Sequence, residues 1–169
     1  ENATEGACDE GQVNARAVEQ AGGGHHRHAG SGAIEAIFAR LGMPEAGKAD
    51  ALAVYKISAE AESAVHGVPV TEIHFHEVGA MDAVADVAAV SLIMHELAPA
   101  RVTASPVHVG SGTVRCAHGV LPVPAPATAR ILEGGPIYGG EVRGELCTPT
   151  RAALPKHFAN GSGRIPPTP

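Results

Sequence analysis

Tryptophan is absent from this sequence, and only three phenylalanines and two tyrosines occur among its 169 residues. Rings therefore contribute little to the interior, and Ala, Val, Leu and Ile must supply nearly all of the buried area. Small side chains bury little area each, so the elements have to pack closely. Cysteine is scarce too. Cys8, Cys116 and Cys147 are odd in number, far apart and without a Cys-x-x-Cys pair, which suits a reducing compartment, the cytoplasm, better than a disulfide framework. Positive charge is thin: 12 Lys and Arg against 18 Asp and Glu give a formal charge of −6. That balance argues against a nucleic acid or an anionic membrane as partner. Long apolar runs are missing as well, since the longest, around residues 87–94, is too short to span a bilayer. The first thirty residues lack the apolar centre of a signal peptide. An apolar content of 44% over this length fits one globular domain, or one with a small appendage.

Histidine, by contrast, is plentiful, with ten in the chain. The densest arrangement is Thr71-Glu72-Ile73-His74-Phe75-His76-Glu77-Val78-Gly79-Ala80-Met81-Asp82-Ala83-Val84-Ala85-Asp86. In an extended segment His74 and His76 project to one side, with Glu77 close to the turn at Gly79. In a helix starting near Met81, Asp82 and Asp86 stack on one face. Imidazole together with carboxylate suits a borderline divalent ion such as nickel or zinc in an open site. The competing reading is a polar strand face followed by an aspartate that caps a helix.

The rest of the chain reads as alternating helices and short strands, an α/β (or α+β) pattern. A single compact domain with three main helices packed on a small sheet is expected. Residues 1–24 are acidic, Gly-rich and without periodicity, a poorly ordered lead-in. His25, His26 and His28 follow, either a loose metal-binding run or a solvated loop. Ser31 is placed to cap a helix with Ile34, Ile37, Phe38 and Leu41 on one face, stopped by Gly42 and Pro44. A second helix is predicted over residues 49–66, with Leu52, Tyr55, Ala59 and Val65 apolar and Gly67 as its end. Within it Glu62 and His66 are four apart, so both point at one patch. Val84, Val87, Val90, Met94 and Leu97 mark a third helix ended by Pro99. Residues 101–109 read as a strand.

Gly110, Ser111 and Gly112 then form a turn that either presents amides to a phosphate or simply joins strands. His118 lies beside it. Residues 121–128 carry proline at alternate positions and read as a rigid extended strap. A short helix is expected over residues 127–133, then a hairpin about Gly139-Gly140 joining residues 136–138 to 141–146. Thr148 and Thr150 flank Pro149, placed to cap a helix or to touch a phosphate. From Asn160 onward the composition says loop, so the domain is expected over residues 25–158 with an irregular tail over 159–169.

The run His74-Phe-His-Glu-Val-Gly-Ala-Met-Asp82-Ala-Val-Ala-Asp86 resembles the signature of the LarC nickel-insertion family. The likeness continues through Ser105-Pro106, Gly110-Ser111-Gly112, His118-Gly119, Leu121-Pro-Val-Pro-Ala-Pro-Ala-Thr128 and Gly144-Glu-Leu-Cys-Thr-Pro-Thr150. It also takes in His25-His-Arg-His28 and Ala61-Glu-Ser-Ala-Val-His66-Gly67, covering roughly residues 25–155. It implies a nickel chelatase (a cyclometallase of the lyase class) that delivers nickel into pyridinium-3,5-bisthiocarboxylic acid mononucleotide, giving the nickel-pincer cofactor of lactate racemase-type enzymes. CTP with Mn or Mg is implied only for a carboxy-terminal domain or separate subunit, so this chain is expected to match the amino-terminal half. The family's Gly-Ile-Ser-Gly-Asp-Met run is not found, and Arg151 stands where its motif has glycine.

On that reading His74, His76, Glu77, Asp82, Asp86, Glu62 and His66 form the ion path, with His25, His26 and His28 auxiliary. Gly110, Ser111, Gly112, Thr148 and Thr150 are the candidates to hold the mononucleotide phosphate, and a homo-oligomer is expected. Two other functions remain open at this stage. One is a nickel-binding or storage module built on His25, His26 and His28. The other is a metal-dependent hydrolase in which Glu77 or His118 serves as base toward a metal-bound water.

Overall fold

The computed structural model of the chain describes residues 31–73, 81–116 and 119–163. Helix α1 spans Ser31–Arg40 and buries Ile34 and Phe38, the apolar face anticipated from their spacing. Pro44 then resets the chain, and α2 runs from Glu45–His66, the longest element described. Gly67 ends α2 in the left-handed region at φ 67°, and its N–H donates to the Ser63 carbonyl. Along α2 the buried positions are Gly47, Ala51, Val54, Tyr55, Ser58, Ala59 and Ala61. So many small residues let neighbouring helices approach its axis closely, and α2 packs against α1 and against three later helices, α3 (Met81–Leu97), α4 (Pro126–Ile131) and α5 (Pro149–Phe158). Val65, expected on the apolar side, is instead 41% exposed, because the last turn of α2 projects its flank beyond those partners.

After a single 3-10 turn over Val70–Glu72, Ile73 drops into the core. Helix α3, Met81–Leu97, buries Val84, Val87 and Ser91. Leu97, placed on the core side by its spacing, is 69% exposed. The helix ends in a left-handed Ala98 at φ 41°, whose N–H reaches the Met94 carbonyl, and Pro99 prevents continuation. Helices α2 and α3 are antiparallel. A Cβ on Gly47, near the start of α2, would lie 3.8 Å from the carbonyl oxygen of Ser91, near the end of α3.

The strands are short: β1 Thr103–Ala104, β2 Val107–His108, β3 Gly110–Ser111, β4 Thr113–Cys116, β5 Gly119–Pro122, β6 Ile137–Tyr138, β7 Gly144–Glu145 and β8 Gly161–Ser162. Helix α4, Pro126–Ile131, falls between β5 and β6, and α5, Pro149–Phe158, between β7 and β8. The small sheet is a set of two-stranded pairs: β1 with β8 and β2 with β6 are parallel, β3 with β7 and β4 with β5 antiparallel.

Three local expectations are corrected. Ser105-Pro106 splits the single strand predicted over 101–109 into β1 and β2, since proline cannot donate to a ladder. Residues 136–138 and 141–146 do not pair with each other, for β6 joins β2 while β7 joins β3. Gly139-Gly140 is therefore a crossing and not a hairpin turn. A Cβ on Gly139 would lie 3.2 Å from the Gly110 carbonyl, and one on Gly140 2.5 Å from His108 Nε2. Lastly, the segment from Asn160 is not all loop. The Asn160 side chain accepts from the Val102 N–H at 2.9 Å, and β8 follows it alongside β1. The proline strap contains a cis Val123-Pro124 bond, ends β5 at Pro122 and opens α4 at Pro126. Among the described residues no helix is long and apolar enough to cross a membrane.

Candidate functional site

Tyr55, Glu62 and His66 stand seven and eleven positions apart in register on α2, which places them on one stripe of the helix. In the last turn, His66 Nε2 lies 3.2 Å from Glu62 Oε2. The predicted i,i+4 pair is thus formed, an imidazole beside a carboxylate. At the other end of the stripe Tyr55 is buried against Phe38, ring centroids 5.6 Å apart. Its phenol is pushed well above the ordinary tyrosine range, by burial first and then by the carboxylates of Asp82 and Asp86. The first turns of α3 therefore face the middle of α2. The position of Tyr55 beside both aspartates was not visible in the sequence, where it reads as one more apolar position.

Asp82 and Asp86 are exposed on α3, four apart as expected, and Asp82 Oδ1 accepts from the Ala83 N–H at 2.9 Å. Asp82, inside the first turn of α3, thus satisfies one of the unpaired amides of the helix start. At about 1.5 Å rise per residue, Glu62 lies roughly 10 Å and His66 roughly 16 Å along α2 from the Tyr55 level. Two groups of candidate ligands result, Asp82 with Asp86 at the Tyr55 level and Glu62 with His66 about two to three turns further on. Among the described residues no cluster of three or more His, Cys, Asp or Glu is close enough to hold one ion. His74, His76 and Glu77, which the sequence puts between the 3-10 turn and α3, lie outside the described residues, as do His118, His25, His26 and His28.

Two of the hydroxyls considered for a phosphate, those of Ser111 and Thr148, make hydrogen bonds within the chain. Gly110 and Gly112 adopt φ 90° and 84°, and a Cβ on Gly110 would overlap the carbonyl oxygen of Gly144 on β7. Ser111 Oγ donates to the Val142 carbonyl at 2.9 Å. Thr148 caps α5 by accepting from the Arg151 N–H, and Thr150 lies in the first turn of α5. Arg151, the departure from the family motif, uses its guanidinium to donate to the Leu146 carbonyl at 3.2 Å. It thereby ties the helix start to the chain leaving β7. Next to it, Cys147 is buried, and its thiol is pushed up, by burial first and then by the Glu145 carboxylate, with Arg151 opposing. Near neutral pH this keeps Cys147 a thiol, a poor metal ligand compared with imidazole.

A sequence model described as "Nickel insertion protein" matches residues 4–169. The chain belongs to the nickel insertion protein family. A pyridinium-3,5-bisthiocarboxylic acid mononucleotide nickel insertion protein of Desulfitobacterium hafniense is 43% identical over 156 residues, 92% of this chain and 37% of that protein. The protein of the same name from Geobacillus kaustophilus is 40% identical over 142 residues, 84% of this chain and 34% of that protein. A putative nickel insertion protein of Methanosarcina acetivorans reaches 54% over 115 residues, 66% of this chain and 29% of that protein. The chain thus spans about a third of the length of these relatives. No solved structure matches it.

Proposed function

We propose that this chain provides the nickel-handling part of a protein that inserts nickel into pyridinium-3,5-bisthiocarboxylic acid mononucleotide. The observation that carries the reading is family membership over residues 4–169. The Glu62–His66 pair on α2 and the two aspartates in the first turns of α3, beside Tyr55, supply the imidazole and carboxylate groups that the reading calls for. Nickel is the cargo here. Delivery needs donors that select a borderline divalent ion yet exchange with the two thiocarboxylates of the acceptor. Imidazole and carboxylate meet that need better than a closed thiolate cage. The ion path of this proposal is made of His74, His76, Glu77, Asp82, Asp86, Glu62 and His66. The finer description, a nickel chelatase of the lyase class that works with CTP and Mn or Mg supplied through a carboxy-terminal domain or subunit, belongs to the same proposal.

The test is nickel titration by calorimetry of the chain, a His74→Ala/His76→Ala variant and a His25→Ala/His26→Ala/His28→Ala variant. Loss of tight binding in the first variant is the expected result. Loss only in the second would overturn the reading in favour of storage. Release of phosphate or ester product by the chain alone would favour hydrolysis.

A further inference from the structure

The last turn of α2 has a second flank. Val65 stands about 60° round the helix axis from Glu62 and about 100° from His66. On that flank Ala64 and Val65 face Pro126, Ala129, Arg130 and Glu133 across an open groove of about 450 Å³. That volume lies within the range of about 300–1,000 Å³ typical of small-molecule sites. The cavity between β1, β8 and the end of α5, about 230 Å³, falls below it. The groove has small apolar walls on which a flat ring can lie, and one guanidinium. Arg130 Nη1 is 3.3 Å from Glu133 Oε2, with both side chains more than half exposed. Exposed pairs of this kind are weak, so a phosphate that takes the guanidinium in bidentate fashion displaces the carboxylate easily. Lys156, which lines the other cavity, donates from Nζ to the Glu133 carbonyl at 3.1 Å and so holds the end of α4.

With the hydroxyls of Ser111 and Thr148 engaged elsewhere, we propose that this groove holds the mononucleotide, with its phosphate on Arg130 and its ring on the floor of Ala64, Val65 and Ala129. The assignment rests on the nickel-insertion reading for the identity of the ligand, and it adds a site for that ligand on the same turn of α2 as the Glu62–His66 pair.

Nicotinic acid mononucleotide, which has the pyridinium ring, ribose and phosphate with a carboxylate in place of the thiocarboxylates, is the probe. Its affinity is measured by calorimetry for the chain and for the variants Arg130→Ala, Arg130→Lys and Glu133→Gln. Arg130→Ala should weaken binding about ten- to hundredfold, the range for a charged hydrogen bond to phosphate. Arg130→Lys should retain part of it, and Glu133→Gln should tighten it by removing the competing carboxylate. A role for Arg130 confined to stabilising α4 would move the melting temperature but would not give tighter binding in Glu133→Gln. Equal affinity of the chain and Arg130→Ala, weaker binding in Glu133→Gln, or no binding by the chain at millimolar probe overturns the proposal. Nickel titration of Arg130→Ala separates the two readings: unchanged nickel affinity with unchanged probe affinity rejects the groove alone. Absence of nickel binding in the unmodified chain rejects the nickel reading whatever the probe does.

Discussion

Replacing Gly110 by alanine adds one methyl at the tightest approach of two strands, and Gly112 supplies the internal control. Both residues sit at positive φ, 90° and 84°, where a side chain is strained. The left-handed region costs an L-residue roughly 1–2 kcal/mol, and both variants should lose about that much. Only Gly110 carries a second penalty. Its Cβ would overlap the Gly144 carbonyl oxygen and come within 3.2 Å of the Leu146 amide nitrogen, whereas a Cβ on Gly112 meets nothing within 4 Å. Overpacking against backbone costs typically about 1–3 kcal/mol, because β3 and β7 must separate. Gly110→Ala should therefore lose about 2–5 kcal/mol, a large share of the roughly 5–15 kcal/mol of a typical domain. Urea denaturation followed by far-ultraviolet circular dichroism measures both variants against the parent. If Gly110→Ala is destabilised no more than Gly112→Ala, the close approach of β3 to β7 is wrong.

Other outcomes follow from burial. With its proton held by burial and by Asp82 and Asp86, Tyr55 keeps it in the folded state while the unfolded chain loses it above about pH 10. The unfolded state then binds fewer protons, so stability falls as pH rises through and beyond that value. In Tyr138→Phe, which leaves Tyr55 as the sole tyrosine, no phenolate absorbance near 295 nm should develop before unfolding; an earlier rise contradicts the burial. Thr128 is fully buried on α4 and its Oγ1 has no hydrogen-bond partner, so Thr128→Val should be neutral or stabilising by about 1 kcal/mol in denaturant titration. Phe38 is 0% exposed and packs on Tyr55, so Phe38→Ala should lose about 3–5 kcal/mol, and a loss under 1 kcal/mol would place α1 off the core.

Sequence spacing revealed the helices better than the strands for a physical reason. Helices α1, α2 and α3 bury one face over several turns, and Gly42, Pro44, Gly67 and Pro99 mark their limits, so period and punctuation agree. The cap of α5 at Thr148 was likewise legible, because the hydroxyl and the following proline act locally. Strands of two residues carry no alternation, and the pairing of Thr103 with Gly161 joins segments that no local signal connects. Gly139-Gly140 looked like a turn since two glycines between apolar residues fit a hairpin, yet the same residues are required where chain crosses chain. At the candidate site the spacing of Glu62 and His66 and of Asp82 and Asp86 came from helical period alone. That Tyr55 sits against the two aspartates depends on how α2 meets α3, a tertiary fact. Arg130 and Glu133 were read only as part of a short helix, because nothing in their spacing shows that α2 closes a groove above them.

The final turn of α2 bears Glu62 and His66 on one flank and Ala64 and Val65 on the other, within five consecutive residues of regular helix. No hinge separates the two flanks, so any tilt or rotation of this rod carries both together. The Glu62–His66 pair and the groove wall keep a constant spacing while neighbouring segments breathe, as two jaws cut from one piece of steel hold their gap however the handle is turned.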